Sequence, residues 1–128
     1  MLSRVAMSVP EGTLTDRSRF DLLDFYGQKL GWREIMSFRR QDRLTIAVGG
    51  STYINLRERP HSMVTHGYEH IGILVDSAEK LAQLWSELTD EQIDIQLEPF
   101  TPNAQGEGSF RFRHLLPMAV EVQFHAVG

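Results

Sequence analysis

The stretch Tyr68-Glu69-His70-Ile71-Gly72-Ile73-Leu74-Val75-Asp76 decides how the rest of the chain is read. Ile71, Ile73 and Val75 alternate with His70, Gly72 and Leu74, the two-residue period of a strand. One face is β-branched and the other opens on a histidine. Near the start, Arg4-Val5-Ala6-Met7-Ser8-Val9 repeats the pattern with Val5, Met7 and Val9 on one face. Both stretches lead into turn and acidic residues and then a helical pattern. Each half also closes alike, on Tyr53-Ile54-Asn55-Leu56 in the first and Val120-Glu121-Val122-Gln123 in the second. Arg4 and His70 stand 66 positions apart, and so do Asn55 and Glu121. A displacement shared by both ends of a half is what an internal duplication leaves behind.

Working outward, Thr15-Asp16 offers an N-cap to a helix with Phe20, Leu23, Tyr26 and Leu30 on its apolar face. Gly31 is a natural helix stop. Trp32 to Arg39 predicts a strand centred on Ile35 and Met36, and Leu44 to Val48 predicts another. Gly49-Gly50 turns the chain into a strand from Thr52 to Arg57. After a linker containing Pro60, Ser62 and Gly67, the strand His70 to Asp76 begins the second half. Asp76 or Ser77 caps a helix with Leu81, Leu84, Trp85 and Leu88 on one face. Ile93, Ile95 and Leu97 alternate with Asp94, Gln96 and Glu98, and Pro99 to Gly108 forms a long loop. Phe110 and Phe112 alternate with Arg111 and Arg113, whose side is read as a solvated strand face. Ala119 to Phe124 is the last strand. Residues 1–128 are thus expected to form one domain. Residues 1–59 form a first β-α-β-β-β module, 60–67 a linker and 68–128 a second module.

Composition narrows the function. The 128-residue chain carries a formal net charge of −4, and no Lys/Arg block is longer than Arg39-Arg40. Scattered basic residues speak against a nucleic-acid partner. There is no cysteine, so disulfides, thiolate metal sites and cysteine nucleophiles are excluded. No apolar run approaches the roughly 20 residues a membrane helix needs. Val5 to Val9 leads straight into Pro10-Glu11-Gly12, unlike a secretory signal. No membrane partner and a cytoplasmic location are therefore expected. The chain holds no Gly-rich phosphate loop, no Ser/His/Asp arrangement and no H-E-x-x-H.

Four segments together resemble the glyoxalase, bleomycin-resistance and extradiol-dioxygenase group, the vicinal oxygen chelate superfamily. Phe25-Tyr26-Gly27-Gln28-Lys29-Leu30-Gly31-Trp32 looks like that group's FY-x-x-x-LG-W helix end. His70-Ile71-Gly72-Ile73-Leu74-Val75-Asp76 resembles its HIGF-x-VDD strand, and Val120-Glu121-Val122-Gln123 its closing VEL-Q strand. With the duplicated order of elements, the resemblance covers nearly the whole chain. It implies an α+β fold of two tandem βαβββ modules forming a curled, cup-like mixed sheet with helices on the outside. It also implies a homodimer.

In such a fold a divalent metal sits between histidine and carboxylate ligands at the first and last strand of each half. Carried over by position, the four slots here are Arg4, Asn55, His70 and Glu121. An imidazole and a carboxylate bind divalent ions well. Arg4 is a permanent cation without a lone pair, and Asn55 offers only a neutral amide oxygen. Alternation sets Glu121 with Ala119, Gln123 and His125, the makings of a polar cavity wall. Two readings follow. The first is a small-molecule-binding protein with a degenerate metal site and no cofactor, its ligand held by Arg4, Asn55, His70, Glu121 and Gln123. There Arg4 would clamp an anionic group. The second is a metal-dependent lyase, isomerase or dioxygenase, with His70 and Glu121 as metal ligands plus a further one from His66, His114 or another subunit. No catalytic residue is assigned in either.

Overall fold

The structure, a computed structural model, describes residues 1–66, 68–95 and 100–126. The chain divides into two units, Met1–Val64 and Thr65–Gly128. The first runs β1 (Arg4–Pro10), α1 (Asp16–Leu30), β2 (Arg33–Glu34), a 3₁₀ turn (Met36–Phe38), β3 (Arg43–Gly49) and β4 (Thr52–Arg59). The second runs β5 (His70–Leu74), α2 (Ala78–Asp90), β6 (Asp94–Ile95), β7 (Gly108–Arg113) and β8 (Ala119–Phe124). Each unit holds one four-stranded mixed sheet, ordered β1-β4-β3-β2 in the first and β5-β8-β7-β6 in the second. In each, the first and last strands pair in parallel and the remaining pairs are antiparallel. The chain is α+β with two tandem βαβββ modules.

The duplication is visible in the registers. Ala6 lies opposite Asn55 as Gly72 lies opposite Glu121, and Thr45 opposite Asn55 as Arg111 opposite Glu121. Every one of these positions is displaced by 66 residues from its counterpart. A slip by one residue would turn a strand's apolar side outward, so these three strands cannot drift separately. The intervening segments did drift. The helix N-caps Thr15 and Ser77 are 62 apart. Arg33 and Asp94, which pair with Ala47 and Arg113, are 61 apart.

Alternation also sorts each sheet into a dry and a polar side. Met7, Val9, Leu44, Ile46, Ile54 and Leu56 are buried in the first unit, and Phe110, Phe112, Val120 and Val122 in the second. On α2, the hydroxyl of Ser77 accepts a hydrogen bond from the Lys80 amide at 3.0 Å, and Leu81, Leu84 and Leu88 are buried. Trp85 meets Phe110 edge-on, with ring centroids 5.4 Å apart. On α1, Thr15 caps through the Ser18 amide at 3.1 Å. Gly31 closes the helix at φ 72°, and Trp32 donates back to the Tyr26 carbonyl at 3.3 Å.

Three expectations need correction or lie beyond reach. The buried stripe of α1 is Arg19, Leu22, Tyr26 and Lys29, while Phe20 is 64% exposed. Arg19 wins the inner position because its guanidinium donates to the carbonyls of Leu14, Arg40, Gln41 and Arg43 at 2.7–3.1 Å. Tyr26 stacks on Trp32 at 4.6 Å, and burial pushes its phenol far above the usual range. The strand expected over Trp32 to Arg39 stops at Glu34. The Glu34 carboxylate accepts two bonds from Arg39, at 2.6 and 2.7 Å, drawing the intervening residues into a 3₁₀ turn. Finally, the expectations for Gly67 and for Gln96, Leu97, Glu98 and Pro99 fall outside the described residues.

Candidate functional site

The polar side of the second sheet gathers His70, Arg111, Glu121 and Gln123 on three adjacent strands. His70 Nε2 lies 3.7 Å from Glu121 Oε2, and Arg111 Nε lies 3.5 Å from Glu121 Oε1. The Arg111 and Glu121 side chains are only 17% and 18% exposed. The other ring nitrogen of His70 sits 2.6 Å from the Tyr68 carbonyl. A carbonyl only accepts, so this contact requires the proton on Nδ1 and points Nε2 at the carboxylate. With that proton in place, the 3.4 Å approach of Arg111 Nη1 to the same nitrogen is not a hydrogen bond. Arg111 Nη1 instead donates to the Tyr68 carbonyl at 3.2 Å, and its guanidinium lies over the Tyr68 ring at 5.6 Å.

Gln123 extends the row. Its amide nitrogen is 3.4 Å from Glu121 Oε2, and its oxygen is 2.9 Å from His125 Nε2. It lies across Gly72, where a β-carbon would come within 2.8 Å of the Gln123 nitrogen. Glycine at position 72 therefore makes room for the amide. Arg111 was expected on a solvated face, and that reading is corrected. The β7–β8 pairing sets it directly opposite Glu121. The signal was available in sequence, because Arg111 alternates with the apolar Phe110 and Phe112 just as Glu121 does with Val120 and Val122.

In the first unit the same rung holds Asn55 and Thr45, whose hydroxyl donates to Asn55 Oδ1 at 3.0 Å. Arg4, at the end of β1, donates to the Tyr53 hydroxyl at 3.5 Å. Around them the sheet forms a concavity of about 900 Å³, lined also by Arg40, Arg43, Arg57 and Arg59. The arginines at 43 and 57 were not singled out as site residues. Their positions two residues from Thr45 and Asn55 placed them on this face all along. Among the described residues, no three His, Asp or Glu side chains come together in a group that could hold a metal ion. His125 meets Gln123, and the His66 amide is held by the Glu69 carboxylate at 3.0 Å.

Neither a family model nor a curated protein sequence matches the chain. Solved structures do match, along nearly the full length of both partners. The glyoxalase/dioxygenase from Nostoc punctiforme superposes with a TM-score of 0.70 at 12% identity, over 99% of this chain and 92% of that one. This is the vicinal oxygen chelate fold. The fosfomycin resistance protein FosX from Listeria monocytogenes shares the fold at TM-score 0.68 and 16% identity, over 99% and 94%. The lactoylglutathione lyase from Agrobacterium tumefaciens shares it at 0.65 and 14%, over 97% and 92%. At such low identity the likeness shows the fold alone, so function must be argued from the side chains. As for the membrane, no helix among the described residues is long and apolar enough to cross one.

Proposed function

We propose that this chain is a small-molecule-binding protein of the glyoxalase and bleomycin-resistance type, with a degenerate metal site. The observation that carries the reading is the Arg111 guanidinium 3.5 Å from Glu121 Oε1, beside His70, whose Nε2 is 3.7 Å from the same carboxylate. A structural zinc site worth about 10–16 kcal/mol supplies roughly 3–4 kcal/mol per ligand. A dication and a guanidinium about 5 Å apart repel by on the order of 7 kcal/mol at an effective dielectric constant of about 20. The repulsion exceeds what one ligand contributes. Two ligands and a resident cation therefore fit an organic ligand better than a metal ion. Arg4, Asn55, His70, Glu121 and Gln123 then act as binding groups. A homodimer belongs to the same proposal, because β1 and β5 are edge strands and Leu74 on β5 is 70% exposed. A solution mass of 14.7 kDa at working concentration would remove that part.

One observation favours the second reading, a metal-dependent lyase, isomerase or dioxygenase. With its proton on Nδ1, His70 turns Nε2 towards Glu121, the arrangement in which a ligating histidine is held by a backbone carbonyl. FosX from Listeria monocytogenes has been seen complexed with Mn(II). Metal titration separates the readings. A metal at about 100 times its dissociation constant adds about 2.7 kcal/mol, which raises the melting temperature by roughly 10 °C for a domain of this size. We expect no such shift with Zn²⁺, Ni²⁺ or Mn²⁺ at tens of micromolar. Near-stoichiometric metal in the purified protein, lost in His70→Ala, would replace the binding-protein reading with the enzyme one.

A further inference from the structure

Five of the chain's 13 basic residues, Arg4, Arg40, Arg43, Arg57 and Arg59, line a concavity on the first sheet, and among the described residues no Asp or Glu lines it with them. The protein as a whole is acidic, at −4, so this face runs against the balance of the chain. Arg43 and Arg57 are directly opposed across β3 and β4, a placement in which like charges destabilise a sheet. Arg57 and Arg59 follow each other on the same side of β4, about 7 Å apart along the strand. An isolated bridge between Arg40 and Arg43 brings a further guanidinium to the group.

Among the described residues their partners are few. Arg43 Nε donates to the Phe38 carbonyl at 3.2 Å, and Arg40 Nη1 to the Arg39 carbonyl at 2.8 Å. Both leave the positive charge uncompensated. Arg57 meets Asp42 at 3.7 Å, with both side chains about half exposed. The corresponding positions of the second unit, 66 residues on, are Ser109 for Arg43, Gln123 for Arg57 and His125 for Arg59. The scaffold therefore does not require arginine there.

We propose that this concavity binds a small molecule through a doubly charged phosphate group, held by Arg43, Arg57 and Arg59 without a metal ion. Guanidinium groups suit such an anion because their planar forks donate two parallel hydrogen bonds to its oxygens. A volume of about 900 Å³ takes the rest of a metabolite-sized molecule. An anion seated there also removes the repulsion between Arg43 and Arg57, so ligand binding and sheet stability are coupled. The proposal rests on the metal-free binding reading above and names its ligand class.

The test is calorimetric titration of inorganic pyrophosphate into protein stripped of metal on a chelating resin, repeated with Mn²⁺ added. Binding is expected without metal and should weaken as salt screens the charges. Arg57→Gln/Arg59→Gln should weaken it at least about tenfold and raise the melting temperature of the unliganded protein. Arg17→Gln/Lys80→Gln, which removes the same charge elsewhere, should do neither. An equal loss in that control would overturn the site, as would tighter binding of a single-stranded oligonucleotide than of pyrophosphate. No binding with or without Mn²⁺ would overturn the anion site and leave the metal-free reading standing. Binding that needs Mn²⁺ would overturn both.

Discussion

Thr45 and Asn55 in the first unit occupy the rung that Arg111 and Glu121 occupy in the second. One rung is closed by a neutral hydrogen bond of 3.0 Å and the other by an ion pair of 3.5 Å. The dry side of the same strands tells the opposite story. Leu44 and Phe110, Ile46 and Phe112, Ile54 and Val120, and Leu56 and Val122 are all 66 residues apart, all apolar and all at most 1% exposed. Packing tolerates a change of shape on the dry side but no change of kind, because an unpaired polar atom there costs the full desolvation penalty. The polar side carries no such constraint. It has become an arginine-lined concavity in one unit and a histidine-carboxylate-guanidinium row in the other.

The largest effect should come from the side on which the units agree. Phe110→Ala should cost about 3–5 kcal/mol and Leu44→Ala about 2–5 kcal/mol, since both leave a cavity in a closed core. Chemical denaturation gives both values. A loss under about 1 kcal/mol in either unit would break the equivalence of the two cores.

Next comes the rung itself. Arg111→Thr and Glu121→Asn each leave a partly buried partner without its counter-group, at about 1–3 kcal/mol. Combined, the two substitutions rebuild the first unit's Thr–Asn pair in the second. The double variant should be less destabilised than the two single losses added together, by about 0.5–3 kcal/mol. Strict additivity would mean that the matched registers do not amount to matched geometry.

Smaller again is the contrast between the helix caps. Thr15→Ala and Ser77→Ala remove hydroxyls that accept from the Ser18 and Lys80 amides. Each should cost about 1 kcal/mol by urea denaturation. A clear inequality would show that the 62-residue displacement of the caps altered more than loop length.

How much of this was legible in the sequence follows the same division. The displacement, the strands and the stripe of α2 could be read because alternation and helical spacing are local signals. The stripe of α1 could not. Arg19 is held by the nearby Leu14 carbonyl and by those of Arg40, Gln41 and Arg43, more than 20 residues away, and nothing near it announces those three. The short β2 was hidden for a similar reason, as the Glu34–Arg39 pair overrides an apolar run with strand character. At the site, alternation set the strand faces of His70, Glu121 and Gln123, while the resemblance singled out His70 and Glu121. For Arg111, alternation with Phe110 and Phe112 could mark the polar face, but its meeting with Glu121 on β8 follows only from the pairing register.

The smallest effect concerns His114, whose counterpart 66 residues earlier is Val48, a group that does not titrate. Burial holds the His114 imidazole below its usual pKa of 6.5, with Glu91 pulling weakly the other way. The folded protein therefore binds this proton less readily than the unfolded chain does. Stability from the neutral ring is complete above about pH 6.5 and is lost as the pH falls below that value, through the lowered folded pKa. Val48 implies no such dependence in the first unit. His114→Val transfers that feature to the second unit and should leave the melting temperature less sensitive to acid. Between about pH 7.5 and about pH 5.5, the variant should gain on its parent. A gap between the two proteins that stays constant, or moves in the parent's favour, would show that the ring is not held neutral by burial and that the two units respond to acid alike at this position.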